Sequence, residues 1–199
     1  MQHSDRLSQG LLHAFVLDGK GSAQAITSAD LAQLQLTEQQ TLWLHWERSH
    51  QHAEQWLRES SGLNEFACDL LLEENTRPRL LRLEGQELLL FLRAINQLPD
   101  AEPEDMISLR LFANAKHIYS LRQRPVQVTD ELIKAFSKGF GPRNTSEVLL
   151  FFAQSLTDRV ESSVEQLADT VDQEEASTDN DKRYAPALLP LLQARRRAA

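Results

Sequence analysis

A stripe of apolar residues in the last third of the chain constrains the fold more than any other feature. Its members follow one another at steps of three or four residues: Leu149, Ala153, Leu156, Val160, Val164, Leu167 and Val171. This spacing is close to the repeat of about 3.5 residues found in coiled coils. It predicts one long helix over residues 145–176, and ~30 helical residues extend on the order of 45 Å.

Such a helix is longer than a compact domain of this size needs, and two interpretations are open. The helix could lie across the sheet of its own domain, or it could leave the domain and join a stalk or a subunit interface. We favour the stalk. The polar stretch Gln173–Lys182 indicates a break, so residues 177–199 are expected to form a polar break and a short Leu-rich segment, Ala187–Arg197.

Composition excludes several classes of protein. Of the 199 residues, 41% are hydrophobic and one is cysteine, so we expect neither a disordered chain nor a disulfide scaffold. The net charge of −8 argues against a nucleic-acid groove and is compatible with cationic partners, including metal ions. No apolar run approaches the ~18–20 residues that span a bilayer, and Met1–Gly10 is too polar for a secretory signal. A reducing, cytoplasmic setting is therefore expected.

Before the stripe, the chain mixes strand and helix patterns. Strands are predicted at His13–Leu17, Ala23–Ile26, Leu42–Trp46, Arg79–Leu83, Leu88–Ile95, Met106–Ala113 and His117–Leu121. One helix is predicted over His50–Ser60. A second begins after Asn64 as its N-cap and turns Phe66 inward, and a third covers Asp130–Lys138 after Thr129 as its N-cap. Alternation places Arg110 on a partly solvated face of its strand. Helices on either side of a strand block indicate an α/β fold, an α/β/α layered domain with a mixed sheet over residues 8–139.

Ordered strings along the chain resemble the cytoplasmic domain of the CorA family of divalent-cation transporters. Residues Leu70–Arg79 pass from an acidic helix through Arg-Pro-Arg into the strand at Leu88–Ile95. The agreement is closer with the zinc-transporter branch, ZntB. Three strings are similar to its Glu-Ser-Thr-Arg-Pro-Arg, Arg-Cys-Ile-Asn and Ser-Thr-Arg-Gln-Arg: Glu74–Arg79, Arg93–Asn96 and Ser120–Arg124. Further matches fall at Phe15–Gly19, Trp43–His45 and Gln55–Leu57.

The resemblance implies a domain on the cytoplasmic side of the inner membrane, whose long helix continues as the wall of a pentameric funnel. In that arrangement the exposed acids of the helix would raise the local cation concentration: Asp158, Glu161, Glu165, Asp169 and Asp172. A solvated helix exterior is the alternative interpretation. The family's two transmembrane helices and its Gly-Met-Asn or Gly-Val-Asn motif are absent from these residues. We therefore expect a soluble piece of a transporter or a natural truncation.

Metal-ligand candidates cluster near the first helix. His50 and His52 have imidazoles suited to Zn²⁺, with Glu54 one helical turn from His50. The two histidines do not face each other on a helix and would need an extended or loop geometry. The resemblance implies Asp69 as the counterpart of an acid in the family's intersubunit site for divalent ions. Ordinary surface histidines and a solvated helix face are the alternatives, with Arg77 and Arg79 pairing with nearby acids.

Bond-making chemistry is not expected. The loop Asp18–Ser22 lacks the spacing of a phosphate-binding loop. Cys68 has no CxxC partner, which predicts a buried structural thiol, and His45 is interpreted as a core or edge histidine. We therefore predict no catalytic residues, no enzymatic activity and no required cofactor, with a divalent cation as the transported or regulatory ligand. The alternative function is a free-standing soluble regulatory or interaction module without transport.

Overall fold

Seven strands, five α-helices and one turn of 3-10 helix make up the part of the chain that the computed structural model describes. That part covers residues 10–74, 76–96 and 106–180, with the side chains of the last helix described as far as Gln173. The strands are β1 (Leu11–Leu17), β2 (Ala23–Ala25), β3 (Thr41–Glu47), β4 (Arg79–Arg82), β5 (Leu88–Ile95), β6 (Met106–Ala113) and β7 (His117–Arg122). The helices are α1 (Ser28–Leu31), α2 (Gln51–Glu59), α3 (Glu65–Leu72), α4 (Gln127–Ser137) and α5 (Thr145–Asn180), and the 3-10 turn is Glu84–Gln86.

The strands form a single mixed sheet in the order β2-β1-β3-β7-β6-β5-β4. Neighbouring strands run antiparallel except at the centre, where β3 and β7 run parallel with His45 opposite Ser120. Two antiparallel blocks, β2-β1-β3 and β7-β6-β5-β4, therefore meet along one parallel pair. The predicted mixed sheet is confirmed.

Helices α2 and α3 cover one face of the sheet. Their buried residues are Ala53 and Leu57 of α2 and Ala67, Cys68 and Leu71 of α3, which pack in one cluster with Leu44, Phe91 and Phe112. His50 caps α2 and Asn64 caps α3, whose side-chain oxygen accepts from the backbone N–H of Ala67 at 2.8 Å. Cys68 is buried, as predicted.

Helices α4 and α5 cover the opposite face. Leu132 and Phe136 of α4, and Val148, Phe152 and Leu156 of α5, pack with Trp43, Leu109 and Ile118 of the sheet. Apolar side chains lie on both faces of the central strands because each face has its own helical layer. The α/β/α layering predicted from the alternating patterns is confirmed.

The start of α5 is held by the hairpin that joins β1 to β2. The backbone N–H of Gly141 donates to the carbonyl of Gly21 at 2.8 Å. Gly21 has a φ of 111°, and a Cβ atom at this position would lie 2.7 Å from the carbonyl oxygen of Gly139. Only glycine allows this close approach of the two backbones.

Three local predictions are wrong. Thr129 is not an N-cap, because α4 begins at Gln127 after Val126, and the Thr129 hydroxyl lies buried and donates to the Val126 carbonyl at 2.8 Å. Phe66 points outward and is 60% exposed, since Ala67, Cys68 and Leu71 occupy the inner face of α3. Arg110 is buried rather than partly solvated.

The last helix continues further than predicted. It runs through Asn180, so the expected break does not interrupt residues 173–180. The predicted segment Ala187–Arg197 lies outside the described residues. Across the described ranges, none of the helices combines the length and the apolar character that a bilayer crossing requires.

Candidate functional site

His50 and His52 lie together where α2 begins. The His50 Nδ1 accepts a hydrogen bond from the backbone N–H of His52 at 3.2 Å, and the two ring centroids are 5.1 Å apart. His50 has extended backbone angles at the N-cap, which is the non-helical geometry that the pair required. Because Nδ1 accepts that hydrogen bond, the proton of the neutral ring is on Nε2, and metal binding at His50 would require loss of that proton or of the hydrogen bond to His52.

Asp69 contacts a cation of the protein itself. Its Oδ1 lies 2.9 Å from Nη2 of Arg58, whose Nε lies 3.1 Å from Oε1 of Glu54. Arg58 therefore bridges an acid of α2 and an acid of α3. Glu54 binds this arginine, so the predicted sharing of an ion between Glu54 and His50 would require that contact to change.

The predicted metal ligands do not complete a site within one chain. In the described ranges, no group of three His, Cys, Asp or Glu side chains is placed to hold a metal ion. Protein zinc sites commonly use three or four protein ligands. His50, His52 and Asp69 therefore stay a prediction that needs at least one ligand from another copy of the chain.

Arg110 is a buried cation that the sequence analysis missed. It is 2% exposed, and its Nη1 and Nη2 donate to the carbonyls of Leu71 at 2.7 Å and Glu74 at 3.2 Å. Burial, together with the nearby charge of Arg48, lowers the pKa of Arg110 to about 10. The guanidinium fastens the end of α3 to β6. A charged residue in the middle of an apolar strand was the signal that could have revealed it.

The arginine after Pro78 pairs with an acid, as expected. Nη2 of Arg79 lies 2.7 Å from Oε2 of Glu73, and its guanidinium carbon lies 4.8 Å from the ring centroid of Phe91. Arg77 is exposed. Arg79 thus stabilises the turn between α3 and β4.

His45 lies fully buried in β3. Its Nδ1 is 2.8 Å from the Ser120 hydroxyl oxygen, which also accepts from the Trp43 indole N–H at 2.8 Å. Burial holds the pKa of His45 well below its usual value of 6.5. His45 is a core histidine, as interpreted from its apolar strand.

The apolar stripe of α5 divides into two parts. The docked segment, residues 145–159, contributes Val148, Phe152 and Leu156 to the core. Of these, Leu156 belongs to the predicted stripe, whose other members in this segment, Leu149 and Ala153, are partly buried. The distal segment, residues 160–173, contributes to neither core cluster of the described residues. Val160 is 37% exposed and Val164 is 58% exposed. The stripe is therefore only partly covered by its own chain.

Acidic side chains dominate the rest of the distal segment. Glu161, Glu165, Asp169 and Asp172 are all exposed, and residues 160–173 contain neither Lys nor Arg. Arg159, just before them, points back to α4, where it forms an ion pair with Glu131 and donates to Gln127 at 2.9 Å. The distal segment thus combines uncovered apolar residues with a negative surface.

Comparison with known proteins identifies the family. A family model described as CorA-like Mg²⁺ transporter protein matches residues 38–199. The chain belongs to the CorA family. Its match extends from the third strand through the long helix and includes the Arg-Pro-Arg step on which the sequence resemblance was based.

A curated relative from Pseudomonas aeruginosa, the divalent cation transporter CmaX, is 46% identical over 191 residues. The alignment covers 96% of this chain and 58% of that relative, so the chain spans little more than half of its length. The solved structure of full-length CmaX superposes with a TM-score of 0.91 over the same shares of the two chains.

Two further solved structures have the same fold at lower identity. The ZntB cytoplasmic domain from Vibrio parahaemolyticus is 23% identical, with a TM-score of 0.74 over 92% of this chain and 72% of that one. The CorA magnesium transporter from Methanocaldococcus jannaschii is 13% identical, with a TM-score of 0.67 over 91% of this chain and 55% of that one. The layered domain with a long final helix is therefore the fold of CorA-family cytoplasmic domains.

Proposed function

We propose that the chain is the cytoplasmic domain of a divalent-cation transporter at the inner membrane, and that five copies form a funnel through which the ion passes. Family membership and the similarity to CmaX support the transport role. The observation that carries the proposal is the uncovered stripe of the distal segment. A monomeric soluble domain gains nothing from holding Val160 and Val164 in water at the end of a long helix.

Copies of the same helix are the natural cover for this stripe. Residues spaced at alternating steps of three and four lie along one side of a helix and pack against an identical side of a neighbour. In the 36-residue helix, the distal segment lies beyond the part packed on the sheet. Association through it would leave the α/β/α body unchanged.

The negative surface of the distal segment would serve the ion. The segment carries four acidic side chains and no basic residue between them: Glu161, Glu165, Asp169 and Asp172. Several copies around one axis would sum their potentials and raise the local concentration of divalent cations. In this role the acids attract the ion, and none of them needs to coordinate it tightly.

Among divalent ions we propose Zn²⁺ as the substrate. The ordered strings similar to ZntB support this choice, and the imidazoles of His50 and His52 suit Zn²⁺ better than Mg²⁺. We further propose that His50, His52 and Asp69 form a regulatory site completed by a neighbouring copy.

Transport is tested on the full-length gene product reconstituted in liposomes that contain a zinc-sensitive dye. Entry of Zn²⁺ on external addition is the expected result, with dyes for other divalent ions as comparison. A lack of flux with every divalent ion would contradict transport and leave the alternative, a soluble interaction module. Reading the gene beyond Ala199 for two apolar segments flanking Gly-Met-Asn or Gly-Val-Asn is an independent check.

The funnel is tested by cross-linking the same full-length protein through Val164→Cys with a short bismaleimide. Val164 lies on the stripe, whereas the exposed Ser162 lies on another face of the same helical turn and supplies the matched variant Ser162→Cys. Cys68 is buried and stays out of reach of the reagent. A covalent dimer is expected from Val164→Cys, because one reachable cysteine per chain can be joined to one neighbour. Equal dimer yields from both variants, or no dimer from Val164→Cys, would contradict the arrangement.

A further inference from the structure

A cavity of about 650 Å³ opens on the sheet face that α2 covers. Trp46 of β3, Trp56 of α2 and Tyr119 of β7 line it from one side. Leu31, at the end of α1, and Leu34, in the loop that follows, line it from another. Small-molecule sites in proteins commonly have volumes of ~300–1,000 Å³ and mostly apolar walls. The cavity lies on the opposite side of the sheet from α5, and its lining includes His52, one of the candidate metal ligands.

Aromatic rings form a continuous wall of this cavity. Trp46 and Trp56 stack with centroids 5.0 Å apart, and Tyr119 meets Trp56 edge-on at 5.0 Å. Phe112 stacks behind Tyr119 at 5.4 Å and supports it. The faces of indole and phenol rings carry negative potential that attracts cations.

The wall includes a buried hydrogen-bond donor without an acceptor. Trp46 is 4% exposed, and its indole Nε1 has no partner among the described residues. The indole of Trp43, on the opposite face of the sheet, donates instead to Ser120 at 2.8 Å. Buried donors are nearly always paired. The nitrogen is enclosed by protein atoms, so a ligand in the cavity contacts the ring of Trp46 and not its N–H.

The charge of the cavity selects against anions. Among its described lining residues, Glu59 is the one formally charged at neutral pH, and neither Lys nor Arg is present. His117 also lines the cavity, and burial lowers its pKa, so its ring is neutral at pH 7. Glu59 is exposed at the end of α2, where it accepts from the Gln55 amide at 3.1 Å.

We propose that this cavity binds a small organic cation, an amine or quaternary ammonium attached to an aromatic or alkyl body. The body packs against Trp56 and Tyr119, and the positive charge faces Glu59. This proposal does not rest on transport, because it concerns the layered domain alone.

The test uses the three indole N–H cross-peaks of the ¹⁵N-labelled 199-residue chain. Benzoylcholine carries a ring, an ester carbonyl and a quaternary ammonium, and hippurate is its anionic counterpart with a ring and an amide carbonyl. Saturable shifts of the Trp46 and Trp56 cross-peaks with benzoylcholine are expected, while Trp43 on the other face stays in place. Hippurate at equal ionic strength should leave all three unchanged.

Two variants measure the contributions of the wall and the charge. Trp56→Leu should weaken benzoylcholine binding by at least about tenfold, because it removes the ring beside the cation. Glu59→Gln should weaken it roughly two- to fivefold, the range of an exposed charge pair. Glu54→Gln is the control, since Glu54 lies on the same helix and does not line the cavity.

Several results would overturn the proposal. In the titration, these are the absence of a shift at the Trp46 and Trp56 cross-peaks, equal shifts with hippurate, or an equal shift at Trp43. In the variants, it is an equal change in benzoylcholine affinity by Glu59→Gln and Glu54→Gln. Shifts of Trp46 and Trp56 on dilution of the protein, without ligand, would assign the cavity to a second copy of the chain and equally exclude the small cation.

Discussion

The docked and distal segments of α5 belong to one helix with one apolar stripe, yet they meet different surroundings. In the docked segment, Leu156 of the stripe is buried against the sheet together with Phe152, which lies beside the stripe. In the distal segment, Val160 and Val164 continue the same stripe into solvent. The docked segment faces the sheet, whereas the distal segment extends beyond the sheet with the same periodic pattern of apolar residues. The apolar stripe is therefore longer than the surface that the sheet of its own domain offers.

This comparison separates stability from assembly. Residues of the docked segment should stabilise the single chain, and residues of the distal segment should matter only between copies. Substitutions in the docked segment should therefore change the stability of the single chain, whereas substitutions in the distal segment should change association between copies.

The largest effect is expected from Phe152→Ala. Phe152 is fully buried and its ring centroid lies 6.2 Å from that of Trp43. Loss of this ring should lower the free energy of unfolding by about 3–5 kcal/mol, as large-to-small core substitutions do. Val164→Ala, its counterpart on the distal segment, should change the free energy by less than about 0.5 kcal/mol. Urea denaturation of the 199-residue chain measures both, and equal losses would mean that the distal stripe is covered within its own chain.

A smaller change in the free energy of unfolding is expected from a change in pH, and it arises in the core beneath the docked segment. His45 packs on Trp43 with ring centroids 5.9 Å apart, and its pKa is held well below 6.5 by burial. Below pH 6.5 the unfolded chain binds a proton that the folded chain does not. Stability is therefore retained above that pH and falls as the pH decreases, by about 1.4 kcal/mol per unit.

Thermal or urea unfolding at pH 7.5 and pH 5.5 measures this loss. The depressed pKa of His117 acts in the same direction. His45→Gln removes one of these two groups and should flatten the profile. The distal segment contains no histidine, so a profile that His45→Gln leaves unchanged would place the sensitivity elsewhere.

The smallest effect is expected at the surface pair between α2 and α3. Asp69→Asn removes the contact with Arg58 and should lower the free energy of unfolding only slightly, because both side chains are partly exposed. If Asp69 also binds Zn²⁺ with His50 and His52, added zinc should raise the melting temperature of the assembled full-length protein more than that of its Asp69→Asn variant. Equal increases would remove Asp69 from the metal site while leaving the pair with Arg58 in place.

Local patterns predicted much of the fold. Apolar segments bounded by turns placed all seven strands, and helical spacing placed α2, α3 and α4 within a few residues. The four-residue helix α1 has no apolar face of its own and was missed. Thr129 was misassigned because a threonine before Asp130 resembles an N-cap, whereas the chain turns into the helix three residues earlier.

Long-range features were harder to predict. No local pattern indicates that β3 pairs with β7, because that choice depends on how two distant blocks meet. The burial of Arg110 depends on carbonyls of α3 that the helix end leaves without partners. The cavity wall likewise combines tryptophan and tyrosine residues from three elements, each unremarkable within its own segment.

The parallel pair at the centre of the sheet constrains the order in which the nascent chain can fold. His45 emerges from the ribosome 75 residues ahead of Ser120, opposite which it must lie. At roughly 5–20 residues per second, the hydrogen-bonding edge of β3 waits several seconds for its partner. Over that interval the block β2-β1-β3 has an unpaired edge and exposes Trp43 and Trp46, which favours binding by a chaperone.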